Sequence, residues 1–361
     1  MNKNTLLLIS LAALLLMPLS MNVSAQTATT TVFASGLRSP SKIIITPGGN
    51  LLVAEAGNGP NTGRISIVGP DGSVRTLIDG LPSGFAPPNN EPSGPSGLAL
   101  RGRILYVTIG AGDATLNGPV PGTEMPNPDP SSPFLSSVLS IRLSPQVEQT
   151  TQGFTLTFAD QLTLQTRGFL KLEDAAGNDL RLEVIANFRN FTYEPRPNFT
   201  GNVRASNPFG VAVRGNTLCV VDASQNSVVE VGANTGEIRT LLRFPPKPNP
   251  LPFGPPFIDA VPDSVTLVGK SLLVTFLTGF PFPPGAAEVR RVRLANNASE
   301  PFIGGLTAAI DVLAVEGPNR QNHFFTLEFS TNMLMGAPGR LSRFDQAGGP
   351  AVVLANNLMS P

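Results

Sequence analysis

One pair of strands, with the turn between them, returns five times along this chain, and that repetition limits the possible folds more than any other feature. "SPSKIIITPGGNLLVAEAGN" starts at Ser39, "GPSGLALRGRILYVTIGAG" at Gly94, "NPFGVAVRGNTLCVVDASQN" at Asn207 and "VPDSVTLVGKSLLVTFLTG" at Val261. A weaker copy, "AAIDVLAVEGPNRQNHFFTLEFSTN", starts at Ala308. Each is an apolar strand, a polar turn and a second strand. Two further strands follow in each unit, such as "RISIV" and "SVRTLI" around Gly69-Pro70-Asp71-Gly72, or "SVVEV" and "EIRTLL" around Ala233-Asn234-Thr235-Gly236. Turns ending in glycine between alternating runs are hairpin signals, because glycine accepts the positive φ that such turns require.

Four antiparallel strands repeated at a period near 50 residues predict an all-β chain folded as a β-propeller with five complete units. The second unit is longer. Its third strand is expected at 137–143 and its fourth at 181–188, leaving residues 144–180 as an insertion in which "FTLTFADQLTLQT" reads as an extra hairpin. "VFASGLRSP" (32–40) and "VLANNLMSP" (353–361) hold the same place in the repeat, the outer strand of one unit followed by the start of the next. Thr31–Gly36 is therefore a spare outer strand, and the expectation is a truncated six-bladed ring, since repeat architectures bury every neighbouring interface; the alternative is five blades that close tightly and leave this strand redundant.

Residues 1–25 read as a signal peptide: Lys3, the apolar stretch Leu6–Leu16 and the small-residue site Val23-Ser24-Ala25. Residues 26–361 form a single domain in this reading, secreted or periplasmic, and no later stretch is long enough for a membrane span. Charged residues are only 14% of the chain, 25 basic against 25 acidic, so nothing in its charge favours nucleic acid or an anionic membrane. The 36 glycines and 36 prolines fit a fold with many turns. Cys219 is the only cysteine, so there is no disulfide, and its alternation with apolar neighbours in "LCVVD" predicts a buried small hydrophobe.

Aligning the repeats puts Glu55, Asp222 and Glu328 at one position, the end of the second strand, with Ile109 and Phe276 there in the other two units. Asn58, Asn226 and Asn332 follow three or four residues later. A carboxylate and an asparagine at this spacing suit a structural role in the strand-to-loop turn, accepting and supporting backbone N–H bonds. The alternative is a metal-dependent hydrolase or lactonase similar to the SMP-30 group, in which these oxygen ligands hold calcium. His323 is the sole histidine, which excludes a multi-histidine metal centre and leaves general-base work without a triad. No G-x-S-x-G elbow is present. Asp113 and Glu124, in the loop 110–136, read as solvated charges. Asn190, Asn198 and Asn297 each match the glycosylation sequon.

The loop "TGFPFPPGAA" joins the second and third strands of the fourth unit, and its prolines hold an apolar tip formed by Phe280 and Phe282; the two rings either tuck onto the neighbouring blade or stand free for a partner. Equivalent loops of stacked units share a face, so this tip, the loop 110–136 and the insertion form a candidate contact surface. The proline-dense run 244–257 is an extended connector between units three and four.

"VAEAGNG", "GPSGLALRGRILYVTIG", "SNPFGVAV", "VVDASQNSVVEV" and above all "LTGFPFPPGAAEVRRV" resemble the ScyD/ScyE family of secreted, NHL-like propeller proteins, named for the cyanobacterial scytonemin gene cluster. The resemblance covers nearly all of 32–358 and its most specific block is FPFP-x-GAA; residues 144–180 have no counterpart in it. It implies a bacterial, exported propeller without agreed catalytic residues. On this reading the protein binds a small molecule or protein partner on its loop face without a cofactor and, if its gene sits in a pigment cluster, is an accessory to making or exporting a scytonemin-like pigment.

Overall fold

The structure, a computed structural model, describes residues 30–317 and 320–361; the expected signal peptide, 1–25, lies outside them. Five antiparallel sheets form a β-propeller of five blades. Blade 1 runs Pro40–Ile45, Leu51–Glu55, Gly63–Val68 and Val74–Leu81. Blade 2 runs Pro95–Arg101, Ile104–Ile109, Ser137–Arg142 and Asp179–Asn187, with Phe169–Glu173 added outside. Blade 3 is Pro208–Arg214, Thr217–Asp222, Ser227–Gly232 and Ile238–Arg243; blade 4 is Pro262–Val268, Ser271–Phe276, Ala287–Arg293 and Ala298–Leu306. Blade 5 is Ala309–Glu316, Asn322–Glu328, Gly339–Phe344 and Val352–Leu358. The five units expected from the repeats are these five blades.

The insertion departs from expectation. Instead of an extra hairpin, residues 145–167 contain helix α1, Pro145–Thr150, and helix α2, Phe158–Arg167. The alternation in "FTLTFADQLTLQT" suggests a strand, but Thr157 and Asp160 form a reciprocal capping box and Gly168 closes the helix in the left-handed conformation. Between the helices, Phe154–Thr155 pairs in parallel with the outer strand of blade 1, so the insertion of blade 2 buckles onto its neighbour. Glu148 of α1 is buried where Thr46, Asn50 and Arg103 donate to it; burial raises its carboxyl pKa, but these donors outweigh burial and hold it below its usual value.

Apolar clusters fill four of the blade junctions. One joins blades 1 and 2 with the insertion, and others lie between blades 2 and 3, 3 and 4, and 4 and 5. At two of these junctions the inner strands touch through glycine. A side-chain carbon at Gly97 would lie 2.2 Å from the Phe209 carbonyl oxygen, and one at Gly210 would lie 2.7 Å from that of Asp263. Only glycine allows backbones to approach so closely.

The junction of blades 5 and 1 is built differently. The positions equivalent to Gly97 and Gly210 are Lys42 in blade 1 and Asp311 in blade 5, and these two form an ion pair at 2.6 Å across the junction. No apolar cluster forms there among the described residues. Ile43 is 55% exposed, although its equivalents Leu98, Val211, Val265 and Val312 are all buried; Leu313 on the facing blade is 56% exposed. Thr31–Gly36, expected as the spare outer strand of a sixth blade, belongs to no sheet, and no sixth blade occurs among the described residues. The end of this segment is held to blade 1, where Arg64 donates to the Gly36 carbonyl at 2.9 Å.

This difference has a measurable consequence. Leu98→Ala is expected to lower stability by about 2–5 kcal/mol, as for a fully buried leucine, whereas Ile43→Ala at the equivalent place is expected to lower it by less than about 1 kcal/mol. Equal losses in urea unfolding would show that the 5–1 junction is packed like the rest.

Candidate ligand-binding face

An antiparallel four-stranded blade sends its second-to-third turn and the exit of its fourth strand to the same end, so the long loops and connectors collect on one face. Four small hairpins stand there: Gly84–Ala86 with Glu91–Ser93, Thr115–Asn117 with Glu124–Pro126, Phe191–Tyr193 with Val203–Ala205, and Lys247–Pro248 with Phe257–Ile258. Bonds between neighbouring loops and hairpins tie the face together: Asn61 donates to the Ser131 carbonyl at 2.7 Å, and the Glu124 backbone N–H donates to Asn202 at 2.9 Å.

The three aligned acids do not meet; each serves its own blade. Glu55, fully buried, accepts from the guanidinium of Arg64 at 2.9 and 2.6 Å, from Ser66 and from the Arg38 backbone N–H. Glu328, also fully buried, accepts from the Thr307 N–H at 2.7 Å and from Arg340 at 2.7 and 3.0 Å. Asp222 accepts from Ser206, from the Asn207 N–H at 2.9 Å and from the Gln225 N–H at 3.1 Å. Burial pushes its carboxyl pKa up, and these donors offset only part of that rise. In all three blades the carboxylate thus latches the incoming backbone to the end of the second strand. Among the described residues, no group of three or more His, Cys, Asp or Glu side chains is placed to hold a metal ion.

The asparagines that follow have separate tasks. Asn226 donates to Asp259 at 2.9 Å and accepts from the Val261 N–H at 2.8 Å, joining blade 3 to blade 4, while Asn332 caps a short 3₁₀ turn. Cys219 is buried as expected, and burial pushes its thiol pKa up to about 11. His323 lies 2.7 Å from Asp345 at the outer part of blade 5.

Phe280 is 51% exposed, and Phe282, partly buried, meets it edge to face with centroids 6.1 Å apart. Beside this loop runs the 244–257 connector, whose Gly254 packs against Pro281, and its Phe253 and Phe257 are also exposed. Three accessible phenylalanines therefore stand near the blade 4 end of the face.

Asp113 and Glu124 are not the solvated loop charges that the sequence suggested. Asp113 accepts from the backbone and hydroxyl of Ser131 at 3.0 and 2.7 Å. Glu124 is half-buried beneath its hairpin; burial raises its carboxyl pKa against the bond from Thr115 at 2.7 Å. Nearby, Arg204 forks onto Glu194 at 2.9 and 3.0 Å and reaches Asp259 at 3.0 Å, and those carboxylates keep its pKa above the usual value despite burial. Every group in this network is engaged, so it works as a clamp that joins the connector entering blade 3 to the connector leaving it. Sequence reading missed it because Glu194, Arg204 and Asp259 lie in irregular connectors outside the repeat pattern.

No protein-family model matches the chain, and no curated protein matches it. Solved structures do resemble it. A protein of unknown function from Bacteroides thetaiotaomicron VPI-5482 aligns at 10% identity over 90% of this chain, with a TM-score of 0.44; the chain spans 63% of that structure's length. A putative 6-phosphogluconolactonase from Bacteroides fragilis NCTC 9343 aligns at 11% identity over 91% of this chain and 86% of its own, with a TM-score of 0.43. A PQQ-bound aldose sugar dehydrogenase from Streptomyces coelicolor aligns at 15% identity over 83% and 91%, with a TM-score of 0.33. Likeness at this level accompanies several activities and assigns none.

Proposed function

We propose that this protein is an exported, non-catalytic β-propeller that binds a small-molecule or protein partner through its loop face. The observation that carries the reading is the exposure of Phe280 beside Phe253 and Phe257 on a face built from proline-stiffened loops. Exposed aromatic side chains held in place by a rigid loop bind with little loss of conformational entropy and so suit recognition. The likeness of "LTGFPFPPGAAEVRRV" to the ScyD/ScyE family supports export and, where the gene lies in a pigment cluster, an accessory role in making or exporting a scytonemin-like pigment. The metal-dependent hydrolase reading draws no support from Glu55, Asp222 and Glu328, whose oxygens are engaged inside three separate blades. No helix among the described residues is long and apolar enough to cross a membrane.

A thermal-shift ligand screen, followed by titration, tests this. At least one ligand found with the wild-type protein is expected to lose tenfold or more in affinity in Phe280→Ser, with the melting temperature moving by no more than about 1 °C, because the ring is largely outside the core. Undiminished affinity in Phe280→Ser would remove the Phe280 surface from the binding site.

A further inference from the structure

Blade 4 breaks the pattern of blades 1 and 5 at one pair of positions, and the break opens a cleft. In blades 1 and 5 the second strand ends in a buried glutamate paired across to an arginine, Glu55 with Arg64 and Glu328 with Arg340. In blade 4 the glutamate is replaced by Phe276 and the arginine by Glu288. The Phe276 ring meets Phe244 of the connector edge to face at 4.7 Å, and the two form the floor of a cavity of about 320 Å³ between blades 3 and 4. Pro245 and Pro246 add apolar wall.

Three cations line the same cavity: Arg243, Lys247 and Arg290. Lys247 and Arg290 share one carboxylate, Glu288, and Lys247 also lies 5.7 Å from the Phe276 ring centroid. Arg243 donates to the Gln225 carbonyl at 3.2 Å and pairs with no carboxylate among the described residues. The cleft therefore carries a surplus of two positive charges in a chain whose charges otherwise balance. A cavity of this size, apolar beneath and cationic at its edge, matches a small molecule with an aromatic body and an anionic group.

We infer that this cleft binds an aromatic carboxylate, with its ring against Phe244, Phe276 and the prolines and its carboxylate between Arg243, Lys247 and Arg290. The cleft is a second site, separate from the Phe280 surface, and the inference goes beyond the reading built on that surface.

Isothermal titration of the full protein with 2-naphthoate tests it, with neutral 2-naphthol as control. The expected result is saturable 2-naphthoate binding that is at least tenfold tighter than that of 2-naphthol and weakens as salt rises. Arg243→Gln and Lys247→Gln are each expected to lose about tenfold in 2-naphthoate affinity while keeping the wild-type melting temperature. Phe280→Ser, whose ring does not line the cavity, keeps 2-naphthoate binding, so failure at Phe280 and failure at the cleft are told apart. No saturable binding by the wild-type protein at millimolar 2-naphthoate, or equal binding of the two compounds, would overturn the inference. Unchanged affinity in both charge variants would do so as well.

Discussion

Replacing Glu55 with alanine is expected to lower the unfolding free energy by about 3–5 kcal/mol, the usual loss when one member of a buried ion pair is removed. The carboxylate has no exposed surface and receives Arg64, Ser66 and the Arg38 N–H. Without it the Arg64 guanidinium is left facing a cavity with only the Gly36 carbonyl as an acceptor, and the segment leading into blade 1 loses its anchor. Glu328→Ala is expected to act alike through Arg340 and the Thr307 N–H. Urea unfolding measures both. A loss below about 1 kcal/mol would mean that these acids do not hold their blades.

Asp263→Ser is expected to stabilise the protein at neutral pH, by about 1–3 kcal/mol, the usual cost of keeping a polar group at a buried position. Its equivalents in blades 1 and 2 are Ser41 and Ser96, whose hydroxyls donate to the first carbonyl of the next blade, Pro95 at 2.9 Å and Pro208 at 3.1 Å. A carboxylate cannot make that bond unless it is protonated. Burial pushes the Asp263 carboxyl pKa well above its ordinary 3.8, the facing Asp311 pushes it further, and Lys42 opposes the rise only in part. The folded protein therefore holds this proton to higher pH than the unfolded chain does. Stability falls as pH rises from about 4 through the raised folded pKa and is flat beyond it, with a slope of about 1.4 kcal/mol per pH unit between the two values. Asp263→Ser removes that slope. The same pH dependence in both proteins would show that Asp263 is ionised without penalty.

The five blades were legible because each is local: a strand, a turn and its partner lie within a few residues, and glycine turns mark the reversals. Glu55, Asp222 and Glu328 could be read as equivalent for the same reason, although their donors, 15 to 21 residues upstream, needed the folded blade to identify them. The helix Phe158–Arg167 was hidden by residues that alternate like a strand, and its capping box was the available signal. The cleft was not legible. Arg243, Lys247 and Arg290 come from an outer strand, a connector and a third strand, and only the packing of blades 3 and 4 brings them to one cavity. Phe276 offered a hint, as an aromatic residue at a position that three other blades give to an acid.

Thermal unfolding of the wild-type protein and Glu55→Gln across a calcium series separates a latch from a ligand. A latch predicts melting temperatures independent of calcium in both proteins, with Glu55→Gln several degrees lower throughout. A wild-type melting temperature that climbs with calcium by mass action, and a Glu55→Gln variant that no longer follows it, would contradict the assignment of these acids to the blades.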